Sequence, residues 1–383
     1  EDLVRAPPLL SRPMSSDNTR VFGLDVMRAV AISLVVFWHT YGLIADLMPG
    51  SEEPFYVDGV DLFFVLSGYL IGGILIKLVK DTGTTWRTRA ITFWSRRFLR
   101  TLPAYYLFLL LNIGLVAAGV RNGVLNHNAP AYFVFLQNVW KPIDLFFWES
   151  WSLVVEEWFY VLFPLLLALC MAVFRIPWRS AFIGVAMFFV VASLLVRYHL
   201  LGEVSSVNES EALVRKLVIT RTDTIVFGVL AALLRAEFPI AWFKLRWPLF
   251  VLGALGVFVV PTFYGDDLLT YSVTWFFTFN AIAMALLLPL LSTWRRVPPG
   301  GVVLSFISHV SYALYLVHLP LRSLLQNWYD PCTPLAGWVQ IVFYWIACLG
   351  ISWVVSRYWE KPFMDLRDRL LIRLGVAPRS SAS

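Results

Sequence analysis

Apolar residues run in long blocks along this chain, separated by short polar and basic stretches, and show no sustained two-residue alternation of the strand kind. A block of roughly 18–22 residues is long enough for a helix to cross a hydrocarbon core of about 30 Å at about 1.5 Å per residue. The pattern predicts ten transmembrane helices, over 22–44, 60–79, 98–119, 151–173, 180–200, 217–235, 247–264, 271–292, 302–323 and 335–356. The expected fold class is an all-α integral membrane protein. Its one membrane domain covers 21–358, between an aperiodic Pro-, Ser- and Arg-containing segment 1–20 that is left out of the fold and a C-terminal tail 359–383. The first block has no small-residue cleavage site and is followed by more spans, so it reads as a retained helix. Within 120–150 the apolar piece Ala131 to Val139 is too short to span, and is expected to re-enter the bundle or lie at its interface. Neither a fixed-period repeat nor the two-half symmetry of many transporters is visible.

Composition strengthens this picture: 59% of residues are hydrophobic, 15% are charged, and the mean hydropathy is +0.70. The net charge of +6 does not point to nucleic acid, because the basic residues alternate with spans and do not cluster beside aromatics on a polar face. They carry topology. With the N-terminus inside, all but seven of the 31 Lys and Arg residues fall on the inner side, the exceptions being Arg121, Lys141, Arg197, Arg215, Lys216, Arg221 and Arg322. Both termini are therefore expected to be cytoplasmic. Cys170, Cys332 and Cys348 have no metal-ligand spacing and read as packing residues, and no metal is expected. Walker, dinucleotide-binding and HExxH patterns are missing, so ATP hydrolysis and zinc chemistry have no support.

Candidate chemistry must come from polar residues inside the spans, where a charged side chain costs about 2.5–3.5 kcal/mol at the centre. Arg28 and His39 are eleven residues apart on the first helix, about three turns plus 20°, so they share one face with about 16.5 Å between them. Asp61, Glu156, Glu157, Arg221, Asp223 and His318 fall at about the depth of His39. A histidine among carboxylates has the composition of a general acid/base site. Two plainer alternatives stay open: Arg221 paired with an acid as structural glue, and Asp61 as a helix cap. At the opposite depth, Arg96, Arg97 and Arg100 open the third span, with Arg97 and Arg100 on one face. Such forks bind phosphate, and they equally suit lipid headgroups.

Seven stretches together resemble the membrane-bound acyltransferase type 3 proteins that modify cell-surface carbohydrates. They are Leu24 to His39 with its Arg–x10–His spacing, GVDLFFVLSGYLIGG at 59–73, FWSRRFLRTLPAYY at 93–106, WSLVVEEWFYVLFP at 151–164, RTDTIVFGVLAALL at 221–234, SHVSYALYLVHLP at 308–320 and SRYWEKPF at 356–363. The resemblance implies transfer of an acyl group, usually acetyl, from cytoplasmic acyl-CoA to a glycan hydroxyl outside, in a bacterial cytoplasmic membrane. On that likeness His39 is the catalytic histidine, and Arg28 with Arg97 and Arg100, next to Arg96, holds the CoA phosphates. Glu156 is the expected carboxylate partner of His39, with Asp61 second, while Arg221, Asp223, His318 and Glu157 are candidates for acceptor binding. Direct transfer with His39 as base and a covalent acyl-histidine both remain open. The expected partners are the lipid bilayer, a glycan or lipid-linked glycan acceptor and glycan-assembly proteins, with no nucleic acid. Some family members carry an appended SGNH domain. Here the chain ends about 27 residues after the tenth span, so transfer is expected to finish in the membrane domain or to pass to a separate partner. A transporter or flippase, whose intramembrane charges line a pathway, is the rival from another class.

Overall fold

The computed structural model describes residues 20–47, 57–81, 83, 85–143, 146–262, 267–328 and 334–373. Residues 1–19, Cys332 and the chain end after Arg373 lie outside the described residues. Among the described residues there are helices and turns but no strand. In chain order the helices are α1 (Phe22–Leu47), α2 (Gly59–Lys80), α3 (Trp86–Ala117), α4 (Trp151–Ala172), α5 (Trp178–Leu200) and the short α6 (Val207–Ser210). Then follow α7 (Thr222–Glu237), α8 (Pro239–Lys244), α9 (Arg246–Val259), α10 (Leu268–Thr274), α11 (Phe276–Ala285) and α12 (Leu288–Leu291). The last three are α13 (Gly301–Trp328), α14 (Pro334–Val355) and α15 (Lys361–Arg373), with a π turn over Ser356–Glu360 between α14 and α15.

Seven helical stretches are long and apolar enough to cross a membrane: Phe22–Tyr41, Gly59–Lys80, Trp86–Ala117, Trp148–Ala172, Trp178–Leu200, Gly301–Leu325 and Leu335–Arg373. An eighth is broken, Leu268–Thr274 meeting Phe276–Leu291 at 56°. The protein is thus an all-α, multi-span membrane protein. Of the ten expected spans, 217–235 and 247–264 fall on shorter helices, α7 and the apolar stretch Arg246–Thr262. Residues 217–221 are apolar enough to extend a span on paper, but Thr220 Oγ1 donates to the carbonyls of Val214 (2.5 Å) and Leu217 (2.9 Å) and turns the chain. α7 begins only at Thr222, and its 16 residues reach about 24 Å. It packs against α2, α5 and α11, and an interior helix need not match the thickness of the hydrocarbon.

Glycine decides how closely α2 and α7 approach. A methyl group at Gly68 would fall 1.8 Å from the Ile225 carbonyl oxygen, and one at Gly228 would fall 1.9 Å from that of Val65, so the two backbones touch at this crossing. Gly72 repeats the contact one turn on, where a methyl group would meet Ala232 Cβ at 2.9 Å. This is the small-residue packing by which membrane helices associate where lipid supplies no hydrophobic drive. Gly59 does the same beneath α1, 2.3 Å from the Ala31 carbonyl, and so seats the start of α2 beside Val35, one turn before His39. Asp58 caps α2 by accepting from Val60 N at 2.8 Å. α13 lies against α1, α3 and α14.

The connection after α3 is tied down along its length. Its 3-10 turn Ala129–Val134 accepts hydrogen bonds from the Tyr105 hydroxyl to Tyr132 O (2.8 Å) and from the Tyr106 hydroxyl to Phe133 O (2.9 Å). Trp158 Nε1 donates to Phe135 O at 2.7 Å, and Asn138 Nδ2 donates to the carbonyls of Trp151 and Lys216. The apolar piece that the sequence places here is therefore held against the middle of α3 and the first half of α4. In the C-terminal tail, α15 lies along α3, and Trp359 Nε1 donates to Pro103 O at 2.9 Å.

Candidate active site

A cavity with about 830 Å³ of unfilled space, part of it open, lies among α1, α2, α3, α4 and α13. One end is cationic: Arg28 of α1 and Arg97 and Arg100 of α3 all line it. The three-residue spacing puts Arg97 and Arg100 on one face of α3, and the crossing of α1 adds Arg28. Arg97 stacks over the Tyr160 ring at 5.4 Å, and among the described residues neither Arg97 nor Arg100 forms an ion pair. Arg28 approaches Asp25 only at 3.9 Å, because Arg20 (2.5 Å) and the Ser308 hydroxyl (2.9 Å) already occupy that carboxylate. Glu156 beside the three and Glu360 near Arg100 offset part of the charge, and the guanidinium groups that remain in excess suit a polyanion. Arg96, grouped with them in the sequence, is exposed and does not line the cavity.

Glu156 lines the cavity, but at the arginine side. Its carboxylate accepts from the Tyr160 hydroxyl at 2.7 Å, and the Tyr160 oxygen in turn lies 2.5 Å from Ser67 Oγ. A phenol has one proton, so Ser67 is the donor in that second bond. The expected pairing of Glu156 with His39 is not what the structure contains. Asp61, the second choice, is no closer to that role: it is fully buried, bonded to Arg221 and accepting from Asn280 Nδ2 at 2.8 Å. Matching depth along different helices did not become contact, because Glu156 takes its donor one turn on along its own helix and Asp61 takes Arg221 and Asn280 from neighbouring elements.

What holds His39 is backbone. Its Nδ1 lies 2.7 Å from Val35 O, one turn earlier on α1, and a carbonyl can only accept, so Nδ1 carries the proton and Nε2 keeps its lone pair. His318 repeats the device on α13, with Nδ1 donating to Tyr315 O at 2.6 Å. The two rings face each other at 5.0 Å, 61° apart. His318 is wholly buried and its Nε2 has no hydrogen-bond partner among the described residues. The sequence places His318 among acceptor-binding candidates, and the structure brings it against His39.

Arg221 and Asp223 lie away from the cavity, in a buried network joining α2, α5, α7 and α11. Arg221 pairs with Asp61 and stacks 3.8 Å over Phe277, while Asp223 pairs with Arg197 at 2.5 Å. Thr278 Oγ1 donates to Asp223 at 3.0 Å and accepts from Arg197 at 2.8 Å. The structural-glue alternative describes Arg221 and Asp223. Glu157 is buried behind α3, accepting from Thr101 Oγ1 at 2.6 Å, and meets the cavity only through that threonine.

Sequence reasoning missed the hydroxyls. Tyr160, Tyr312, Tyr315, Ser67, Ser152 and Ser311 all line the cavity. Tyr160 stands four residues after Glu156 and Tyr315 three before His318, so helical spacing from the singled-out residues would have found both. It also missed Arg197, a charge near the end of an apolar run.

Fold and site together define an integral membrane protein with an internal cavity that is cationic at one end and lined with hydroxyls along its length. The chain belongs to the acyltransferase family whose model, described as an acyltransferase domain, matches residues 21–357. It is 26% identical over 371 residues to a Staphylococcus aureus (strain COL) protein provisionally named an O-acetyltransferase, covering 89% of this chain and 57% of that one. It is 26% identical over 338 residues to O-acetyltransferase OatA of Staphylococcus aureus (strain NCTC 8325 / PS 47), covering 80% of this chain and 51% of OatA. The chain thus spans about half the length of these relatives. No solved structure matches it.

Proposed function

We propose that the chain is an acyl-CoA-dependent O-acyltransferase that moves a short acyl group, acetyl first, to a hydroxyl of an extracytoplasmic glycan or glycolipid. The observation that carries this reading is the cavity: Arg28, Arg97 and Arg100 hold one end, and the other stops at Tyr315, one turn of α13 before His318 and its contact with His39. CoA supplies the polyanion for the arginines. Its pantetheine arm covers a separation like the 16.5 Å or so from Arg28 to His39 along α1. The crowding of Lys and Arg toward one side supports a cytoplasmic arginine end and an outward histidine end. The O-acetyltransferase names of the relatives support acetyl as the group transferred.

In the reaction His39 Nε2 takes the proton of the acceptor hydroxyl as that oxygen attacks the thioester carbonyl. The C–O bond forms, the C–S bond breaks, and the imidazolium returns the proton to the departing CoA thiolate. The Val35 carbonyl fixes the tautomer this step requires, the work expected of a carboxylate. Glu156, hydrogen-bonded to Tyr160 and facing the arginines, keeps Tyr160 beneath Arg97. The test is release of CoA thiol from acetyl-CoA by purified protein with a surface-glycan extract as acceptor, beside His39→Ala. Loss of the base should lower acceptor-dependent release by about 10²-fold or more. Undiminished release would remove His39 from the chemistry, and neither release nor binding of acetyl-CoA would favour a transporter.

A further inference from the structure

Tyr315 is the last residue of α13 to line the cavity, and its phenol is held from two sides. The Tyr315 hydroxyl donates to Glu149 O at 2.8 Å, so the Ser152 hydroxyl, 2.7 Å away, must donate to it. Glu149 cannot drift, since its buried carboxylate takes hydrogen bonds from Arg121 at 2.9 and 2.6 Å. Behind the phenol ring stands the His318 ring, 5.6 Å away, and beyond that His39. Val60, Phe64 and Leu153 line the cavity with Tyr315 and give a small acyl group apolar walls.

We propose that Tyr315 is the residue that sets the acyl length this protein accepts. A short acyl chain ends against the latched ring, and a longer one meets it. The proposal rests on the donor reading above, with phosphates at the arginines and the acyl end toward Tyr315. The Tyr315 ring packs on the His318 ring at 5.6 Å, so the stop lies directly against the histidine pair.

The experiment is the affinity of the purified full chain for non-transferable alkyl-CoA thioethers of increasing length, ethyl to hexyl, measured calorimetrically. Wild-type affinity should fall about tenfold or more once the chain outgrows the pocket. Tyr315→Ala should abolish that fall, and Tyr315→Leu, which also removes the ring, carries the same expectation if the alanine variant does not fold. Tyr315→Phe keeps the ring and should keep the fall. A fall that persists in the ring-less variants, or equal wild-type affinity for every length, overturns the stop while leaving the donor reading intact. Wild-type protein that binds no alkyl-CoA of any length overturns the donor reading and the stop with it.

Discussion

Asp61 offers the sharpest division between chemistry and architecture, because its sequence position suggested catalysis and its contacts are structural. Asp61 and Arg221 are both fully buried, and Arg221 Nε and Nη1 have no partner among the described residues. The Asp61 carboxylate and the Phe277 face, 3.8 Å from the guanidinium carbon, are therefore the principal compensation for the buried cation. Asp61→Ala strands that charge and also leaves Asn280 Nδ2 without its acceptor. Breaking a buried pair by removing one partner costs about 3–5 kcal/mol. At about 1.36 kcal/mol per tenfold, the folded-to-unfolded ratio should fall by roughly two to nearly four orders of magnitude. The double variant Asp61→Leu/Arg221→Met removes both charges and should lie within about 1–2 kcal/mol of wild type, since apolar replacement of a whole buried pair is often neutral. Reversible unfolding by SDS in mixed micelles, followed through the fluorescence of the 17 tryptophans, measures all three proteins. A single variant no more fragile than wild type, or a double variant as fragile as the single, would refute the reasoning. A fully stable Asp61→Ala protein that had lost acyl transfer would return Asp61 to the chemistry.

Arg97→Ala and Arg100→Ala should each weaken acetyl-CoA binding by about tenfold or more, the loss of a hydrogen bond between charged groups, with Arg96→Ala unchanged; titration calorimetry reads all three, and equal losses at Arg96 would mean diffuse surface charge and no site. Stability should depend on pH through Asp58, which caps α2 and accepts from Arg215 Nε and Nη2 at 3.0 and 2.8 Å. Burial by itself would push the Asp58 carboxyl up, but the Arg215 and Arg221 guanidiniums, with the hydrogen bonds from Arg215 and Val60 N, outweigh it and hold the group below the ordinary carboxylate value. A depressed native value stabilises fully above the unfolded value of about 3.9 and loses that contribution as pH falls through the native one. The stability gap between wild type and Asp58→Asn should hence be flat from pH 6 to 8 and narrow below about pH 4; a gap that widens on acidification would contradict it.

The legible part of the site was the part written within one helix. Arg28 and His39 share a face of α1, and Arg97 and Arg100 share a face of α3, because helical periodicity alone relates them. Both pairs were readable, and Arg28, Arg97 and Arg100 do line one cavity. Partnerships between helices were not readable. Asp61 and Asp223 lie near the starts of their helices at similar depth, yet one meets Arg221 and the other Arg197. The choice turns on how α2 and α7 are seated against each other, which Gly68 and Gly228 decide through contacts of backbone with backbone.

The sequence by itself determined a helical membrane protein, its principal spans, and the placing of Arg28 with His39 on one helix and of Arg97 with Arg100 on another, since hydrophobic length, charge and a 3.6-residue period are local properties. It began one helix too early where Thr220 Oγ1 bonds to the carbonyls of Val214 and Leu217, because such a bond leaves no mark on hydropathy. Only the tertiary structure decided that the His39 and His318 rings meet, that Glu156 lines one cavity with the arginines, and that Tyr315 lines it too. Those outcomes depend on crossings among α1, α4 and α13, and a crossing is set by packing between residues far apart in the chain.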